Sequence, residues 1–285
     1  MKNTIFLTSA LALSISLAGC GGNDTKETVL PPEFTGFSQV EANSTYTAKM
    51  ITYGATFDVV DEAVIADSFS HLEKDLDAVA TIETDGSGNI AKVSIQDINT
   101  VKIDFTNINS EDPRVSIAAT EDKSGNILFV TVSDYQTFGM WGFEDNTVYP
   151  GTGSGVVGIF STGARTNFSD IPTIGNYVSF TGMYFGFGDA SGLEAAGGSV
   201  SLTANFVAKK IHLTTTEDLG GLLPALTGDL SYSGSNYFSG DLTGVNVTGI
   251  AEGYFYGPNA DEVGGVMKVL ANKSDNFLLS FGAKR

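Results

Sequence analysis

"GYFYGPNADEVGGVM", Gly253–Met267, decides how the second half of this 285-residue chain is read. Three consecutive aromatic residues, Tyr254–Tyr256, lead into Gly257-Pro258. Two acidic residues follow, then two glycines, then another apolar run. Proline cannot donate to a sheet ladder, so Pro258 ends a strand. Its fixed φ suits the first position of a helical turn, where Asp261 and Glu262 follow near the dipole-favoured end. Gly264-Gly265 are then expected to turn the chain into the next strand. Two adjacent carboxylates raise the question of a metal, but Asp261 and Glu262 supply too few ligands for one. Glu262 is expected instead to accept backbone N–H bonds at this corner. The stretch reads as a structural joint.

Strands continue on both sides of it. "YQTFGMWGFE" (135–144), "GVVGIFSTG" (155–163), "GNYVSFTGMYFG" (175–186), "GSVSLTANFVAKKIHLTTT" (198–216), "GDLSYSG" (228–234), "YFSGDLTGVNV" (237–247) and "NFLLSFGAKR" (276–285) all carry strand-forming residues punctuated by glycine. In "VSLTANFV", Val200, Leu202, Ala204 and Phe206 share one face, with Ser201, Thr203 and Asn205 opposite. That is the apolar-in, polar-out pattern of a barrel with a filled interior. A membrane barrel requires the reverse. The expected fold is mainly β: a β-rich N-terminal domain followed by a C-terminal eight-stranded antiparallel barrel.

Composition places the division between them near Ser133–Trp141. Of the 34 glycines, 26 lie from Gly139 onward. Residues 1–134 hold 8 basic and 20 acidic residues, a net of −12, against 7 and 13, a net of −6, in residues 135–285. Within the first domain, "DEAVIADSFSHLEKDLDAV" (61–79) has Ile65, Phe69, Leu72 and Leu76 at helical spacing and predicts one amphipathic helix, with Asp61 as its N-cap. "TIETDGSGNIAKVSI" (81–95) and "AATEDKSGNILFVTV" (118–132) repeat a strand, a Ser-Gly-Asn turn and a strand, and predict two hairpins. "DGSGN" resembles half a calcium loop but lacks the closing Glu. "NTVKIDFTNI" (99–108) alternates as a half-buried strand should.

The N-terminus carries a different signal. Lys2, an apolar run too short to span a bilayer, and "LAGC" (17–20) make an export peptide. "LAGC" resembles the bacterial lipobox, in which the chain is cut before the cysteine and that residue is acylated. Cys20 is the sole cysteine, so it has this use and no disulfide partner. Gly21, where the inner-membrane retention signal has Asp, implies the outer membrane. The resulting map is a signal peptide over 1–19, a tether over 20–36, a handle domain over 37–134 and a barrel over 135–285.

Several functions are excluded or disfavoured by composition. A net charge of −18, with no Lys/Arg run beyond a dipeptide, argues against nucleic acid. Two histidines, His71 and His212, with no HExxH, CxxC or phosphate-loop pattern, give catalysis no foothold, and no resident cofactor or metal is expected. "GTGSG" (151–155) reads as a loop.

The motifs together resemble the transferrin-binding-protein-B-like β-barrel lipoproteins. Gly253, Phe255, Tyr256, Gly257, Pro258, Ala260, Glu262, Gly264 and Gly265 match the family's G-x-F-Y-G-P-x-A-x-E-x-G-G signature. "FGMWGF" (138–143) resembles the strand entering the family's barrel, and "STGARTNFSDIPTIGNYVSFTGMYFG" (161–186) its following run, with Phe180 where Tyr is more usual. "FLLSFGAKR" (277–285) resembles the family's last strand. The N-terminal half is similar in style only. The resemblance implies a surface-exposed outer-membrane lipoprotein that binds transferrin, haem, haemoglobin or complement regulators, often beside a TonB-dependent receptor. One handle and one barrel fit here, not two, and no Arg-rich segment is present. Transferrin and heparin are therefore weakly supported, and the chain is more similar to the small haemophilin-type haem binders.

The expected function is thus non-enzymatic capture of haem, an iron-carrier protein or another host or environmental partner for uptake. An adhesin or immune-evasion binder is the alternative, and a structural envelope lipoprotein a third. Loops on a rigid scaffold carry binding, which singles out Tyr149 in "FEDNTVYPGTGSG" (143–155) and Leu222 and Leu223 in "DLGGLLPALTG" (218–228). The leucines form either an apolar tip or a seal under the barrel mouth. His212 alternates with Ile211 and Leu213, so it sits on the polar face, as a surface residue or a haem ligand. Phe185 and Phe187 share a face with Met183 and read as core, with an aromatic binding patch as the alternative.

Overall fold

The structure, a computed structural model, describes residues 44–60, 63–70, 76–84, 90–96, 102–112, 115–121, 125–130, 133–144, 154–174, 177–188, 194–218, 220–271 and 275–285. The described secondary structure is β with two short 3-10 turns. Ten strands form a first sheet: β1 (Ser44–Val60), β2 (Ala63–Ser70), β3 (Leu76–Thr84), β4 (Ile90–Gln96), β5 (Ile103–Phe105), β6 (Asn107–Asp112), β7 (Val115–Ala119), β8 (Gly125–Val130), β9 (Gln136–Glu144) and β10 (Ser154–Gly163). Eight more form a closed antiparallel barrel: β11 (Val178–Gly188), β12 (Glu194–Asn205), β13 (Lys210–Thr215), β14 (Thr227–Tyr232), β15 (Tyr237–Gly244), β16 (Val247–Tyr256), β17 (Glu262–Ala271) and β18 (Asp275–Lys284).

The first sheet runs β5-β4-β3-β1-β10-β9-β8-β7-β6. Its two edge strands are consecutive in the chain, with Thr106 alone between them. The Thr106 amide donates to the carbonyl of Ala119 at 2.9 Å, so the chain steps from one edge to the other in a single residue. The sheet is therefore curled nearly into a barrel of its own. Its interior holds Ala48, Ala80, Phe105, Phe129, Trp141 and Phe160, all buried. Gly158 lies under the Trp141 indole, in a space that a Cβ would fill.

The two predicted hairpins are present as β3–β4 and β7–β8. The predicted helix over 61–79 is not: Ala63–Ser70 and the residues from Leu76 onward are strands. The helical spacing of the apolar residues is a local signal, and pairing decides against it. The first half of β1 pairs with β3 and its second half, Gly54–Val60, pairs with β2, so both halves find hydrogen-bond partners on that edge. The strands expected to open the barrel, β9 and β10, also belong to this first sheet, where β10 pairs with β1 and β9 with β8. The closed barrel begins at Val178.

The barrel interior is filled as the alternation of 200–207 predicts. Val200, Leu202, Ala204 and Phe206 are buried in it, whereas Ser201 is exposed. Toward the Pro258 end of this interior the Phe255 ring lies 5.4–5.6 Å from those of Phe206, Tyr232 and Phe238. Truncating a fully buried aromatic leaves a void that such neighbours cannot close. Phe255→Ala should lower stability by about 3–5 kcal/mol, read by urea unfolding; a loss under about 1 kcal/mol would show that the interior is loosely filled.

Candidate functional site

The Gly253–Met267 stretch is where the curled sheet docks on the barrel. β16 ends at Tyr256, and Pro258–Ala260 forms a 3-10 turn with Pro258 at its start. Gly257 sits at φ 74°, a left-handed value, against the Tyr135 ring. A side chain there would be strained by its backbone and would strike that ring. The link leaving β10 is stitched to the same corner. Thr166 N donates to Phe255 O at 2.9 Å, Gly257 N to Ala164 O at 2.9 Å, and the Thr166 hydroxyl to Gly257 O at 2.6 Å.

Glu262 is the centre of this seam. Only 2% exposed, it accepts the amide protons of Asp134 at 2.7 Å and Tyr135 at 3.1 Å. It accepts backbone N–H bonds, as expected, but from the strand entry before β9 and not from its own corner. Gln136 follows, donating through Nε2 to Val263 O at 3.0 Å, and its Oε1 lies against Gly264. Gly264 and Gly265 are not a turn: both are in β17, paired with Tyr254 and Gly253. Gly264 gives Gln136 room and Gly265 lets β16 approach. Around them Tyr256 Oη meets Ser161 Oγ at 3.1 Å, Lys49 pairs with Glu252 at 2.7 Å, and the Arg165 guanidinium stacks 3.5 Å from the Tyr254 ring centre while donating to Thr47 O. Phe185, on the outer barrel wall, packs against Phe138 with ring centres 5.4 Å apart. It is half-buried and faces the docked sheet, not the barrel interior as its reading as core implies.

These contacts hold the curled sheet against the barrel. Asp261 pairs with Arg285 at 3.6 Å, and among the described residues no three His, Cys, Asp or Glu come together to hold a metal.

A family model, the C-lobe and N-lobe beta barrels of Tf-binding protein B, matches residues 146–285. Residues 146–285 thus match the transferrin-binding-protein-B-like β-barrel family. Among solved structures it is similar to transferrin binding protein B from Neisseria meningitidis, at 20% identity and a TM-score of 0.52, covering 83% of this chain and 43% of that one. Transferrin binding protein B from Haemophilus parasuis aligns at 13% identity and a TM-score of 0.44, covering 86% of this chain and 76% of that one. This chain thus spans less than half the length of the Neisseria protein. No curated protein matches its sequence.

Within this family frame the sequence-predicted contacts separate. Cys20, His71 and Tyr149 lie outside the described residues. His212 is exposed on β13, its Nδ1 2.7 Å from Asp229 on the neighbouring strand. Leu223 is fully buried and Leu222 packs beside it against the barrel core, so this loop seals one barrel end and offers no apolar tip for a ligand. The buried Asp218 holds it there, accepting the amides of Gly220 at 2.8 Å and Leu223 at 2.5 Å. What the sequence did not mark is a set of exposed apolar residues at the other end: Phe168, Ile174, Tyr177 and Val207. They carry no pattern that separates them from core residues.

Burial pushes the Glu262 carboxyl up to about 7, with the charge of Asp134 adding to it and the two amide donors and Lys284 opposing. A carboxyl whose folded value is raised binds its proton more tightly in the folded state. Its contribution is complete below about pH 4.5, the ordinary value, and is lost as pH rises toward 7. Unfolding free energy should therefore fall across that window, and Glu262→Gln should flatten the fall; an unchanged slope in the variant would assign it to other groups.

Proposed function

We propose that the protein is a lipid-anchored outer-membrane surface protein that captures haem or an iron-carrier protein for uptake and catalyses no reaction. The observation that carries this reading is the pairing of a transferrin-binding-protein-B-type barrel, with its docked handle, and a lipobox-like "LAGC" whose Cys20 is the chain's sole cysteine. The Neisseria relative is a transferrin-binding protein by name. A filled barrel has no lumen to conduct a solute, so it serves as a scaffold, and ligand contact falls to outward surfaces and loops. A TonB-dependent receptor is the fitting acceptor of the captured ligand.

Two measurements test this. Haemin titrated into the purified chain should shift its Soret band, or immobilised chain should retain an iron-carrier protein from serum. Protease added to intact cells should cleave the protein. Absence of both binding signals, with expression unchanged by iron starvation, would overturn the uptake reading. Full protection from protease would overturn surface display.

A further inference from the structure

One end of the barrel is built from residues 164–174, Tyr177 at the entry to β11, the turns 206–209 and 233–236, the 3-10 turn at Pro258 and Arg285. Its inner layer is closed, because Ile171, Phe206 and Ala260 belong to the barrel core. Its outer layer is open. Ile174 is 84% exposed, Tyr177 71%, Val207 62% and Phe168 41%. Folding gains nothing from leaving four large apolar side chains in water at one end, and such a patch marks a contact with something else.

Charge narrows what that is. Lys209 and Lys210 are exposed among these residues. The Lys209 ammonium lies 5.7 Å from the centre of the Phe168 ring, and neither lysine has an ion-pair partner among the described residues. Of the carboxylates on these turns, Asp261 is paired with Arg285, and Asp170, bonded only to the uncharged Asn167 and Ser169, keeps its charge, so two lysines face one uncompensated carboxylate. A chain of net charge −18 thus presents a cationic, apolar end. Barrel strands of 10 to 12 residues span about 35 Å. Carboxylates at the opposite barrel end, such as Glu217 and Asp218, are therefore several screening lengths of ~8–10 Å away from anything touching this end.

The path of the chain supplies the direction. Arg165 Nη2 donates to Thr47 O at 3.0 Å, and Lys49 is in register with Ser161, so the start of β1 at Ser44 lies beside the 164–166 link. The 23 residues separating Cys20 from Ser44 (21–43) therefore enter the fold at this same end.

We propose that this end docks on an anionic lipid surface, with Phe168, Ile174, Tyr177 and Val207 entering the headgroup layer and Lys209 and Lys210 meeting lipid phosphates. Aromatic and aliphatic tips flanked by lysine are the side-chain set that interfacial binding uses. The proposal rests on the Cys20 anchor reading, which places a membrane at the entry side. A second copy of the chain fits the patch poorly, because it would bring a like cationic end and a like net charge.

The test uses the full chain as the cell processes it, reconstituted with phosphatidylcholine vesicles containing 30 mol% phosphatidylglycerol. Tyr177→Trp places an indole at the proposed contact, and Val245→Trp places one at the opposite end, where Val245 is 77% exposed. The native Trp141 is buried and serves as background. Brominated lipid should quench the indole from Tyr177→Trp and leave that from Val245→Trp unquenched. Lys209→Gln with Lys210→Gln should lower the vesicle partition constant, read from the quenching titration, by about fivefold for each cation removed, and vesicles of phosphatidylcholine alone should lower it as well. Equal quenching at both ends, none at either, or a concentration-dependent change at Tyr177→Trp without vesicles would overturn the proposal. The mass of Cys20 after processing reads the anchor separately. If no acyl mass is found, the anchor reading fails, and quenching of Tyr177→Trp by added vesicles still decides the docking.

Discussion

A carboxylate that is 2% exposed must have its lone pairs met by protein, and Glu262 meets this requirement with two amides 127 and 128 residues away in the chain. Much else in the molecule follows from that pairing. It fixes the entry to β9 against the first residue of β17. Gln136 is carried into place over Val263, and Tyr135 is laid against Gly257. Once these contacts form, the ends of β10 and β16 are close enough to exchange backbone bonds through Ala164 and Thr166. Removing the carboxylate would leave two half-buried amides without their acceptor.

The seam also explains the glycines of the Gly253–Gly265 stretch. Gly257 needs a left-handed backbone, and Gly264 and Gly265 need to lack a Cβ, because Gln136 and the backbone of Glu252 occupy that space. These are conditions of docking two sheets edge-on and face-on at one corner. The aromatic residues of the stretch divide by the pleat of β16: Phe255 points into the barrel and Tyr256 out toward Ser161. One strand thus serves both the barrel interior and the seam.

How far the sequence reached depends on the range of the forces involved. Alternation at 200–207 and the Ser-Gly-Asn turns are local, and both were legible. The Glu262 amide-acceptor role was legible too, but its donors at Asp134 and Tyr135 were not, because no periodicity links residues so far apart. The composition shift at Gly139 misplaced β9 and β10. The glycines there, such as Gly158 under Trp141, answer to packing inside the first sheet and not to barrel corners. "NTVKIDFTNI" read as one strand because nothing in its alternation announces that Thr106 changes partners. Leu222 and Leu223 fitted a tip or a seal equally well, and Asp218, which chooses the seal, acts through backbone amides invisible in a pattern of side chains.

The place of β1 in its sheet has a mechanical meaning. It is an interior strand, with β3 and β2 on one edge and β10 on the other. Tension applied through the chain upstream of Ser44 runs along the strand axis. It must shear both ladders together and cannot unzip one bond at a time, and Lys49–Glu252 and Arg165–Thr47 cross-brace the loaded end to the barrel. A molecule tugged from its N-terminus, by shear flow or by a ligand being pulled away, therefore resists where it is most heavily bonded. The β5 and β6 edges, joined through Thr106, bear almost none of that load.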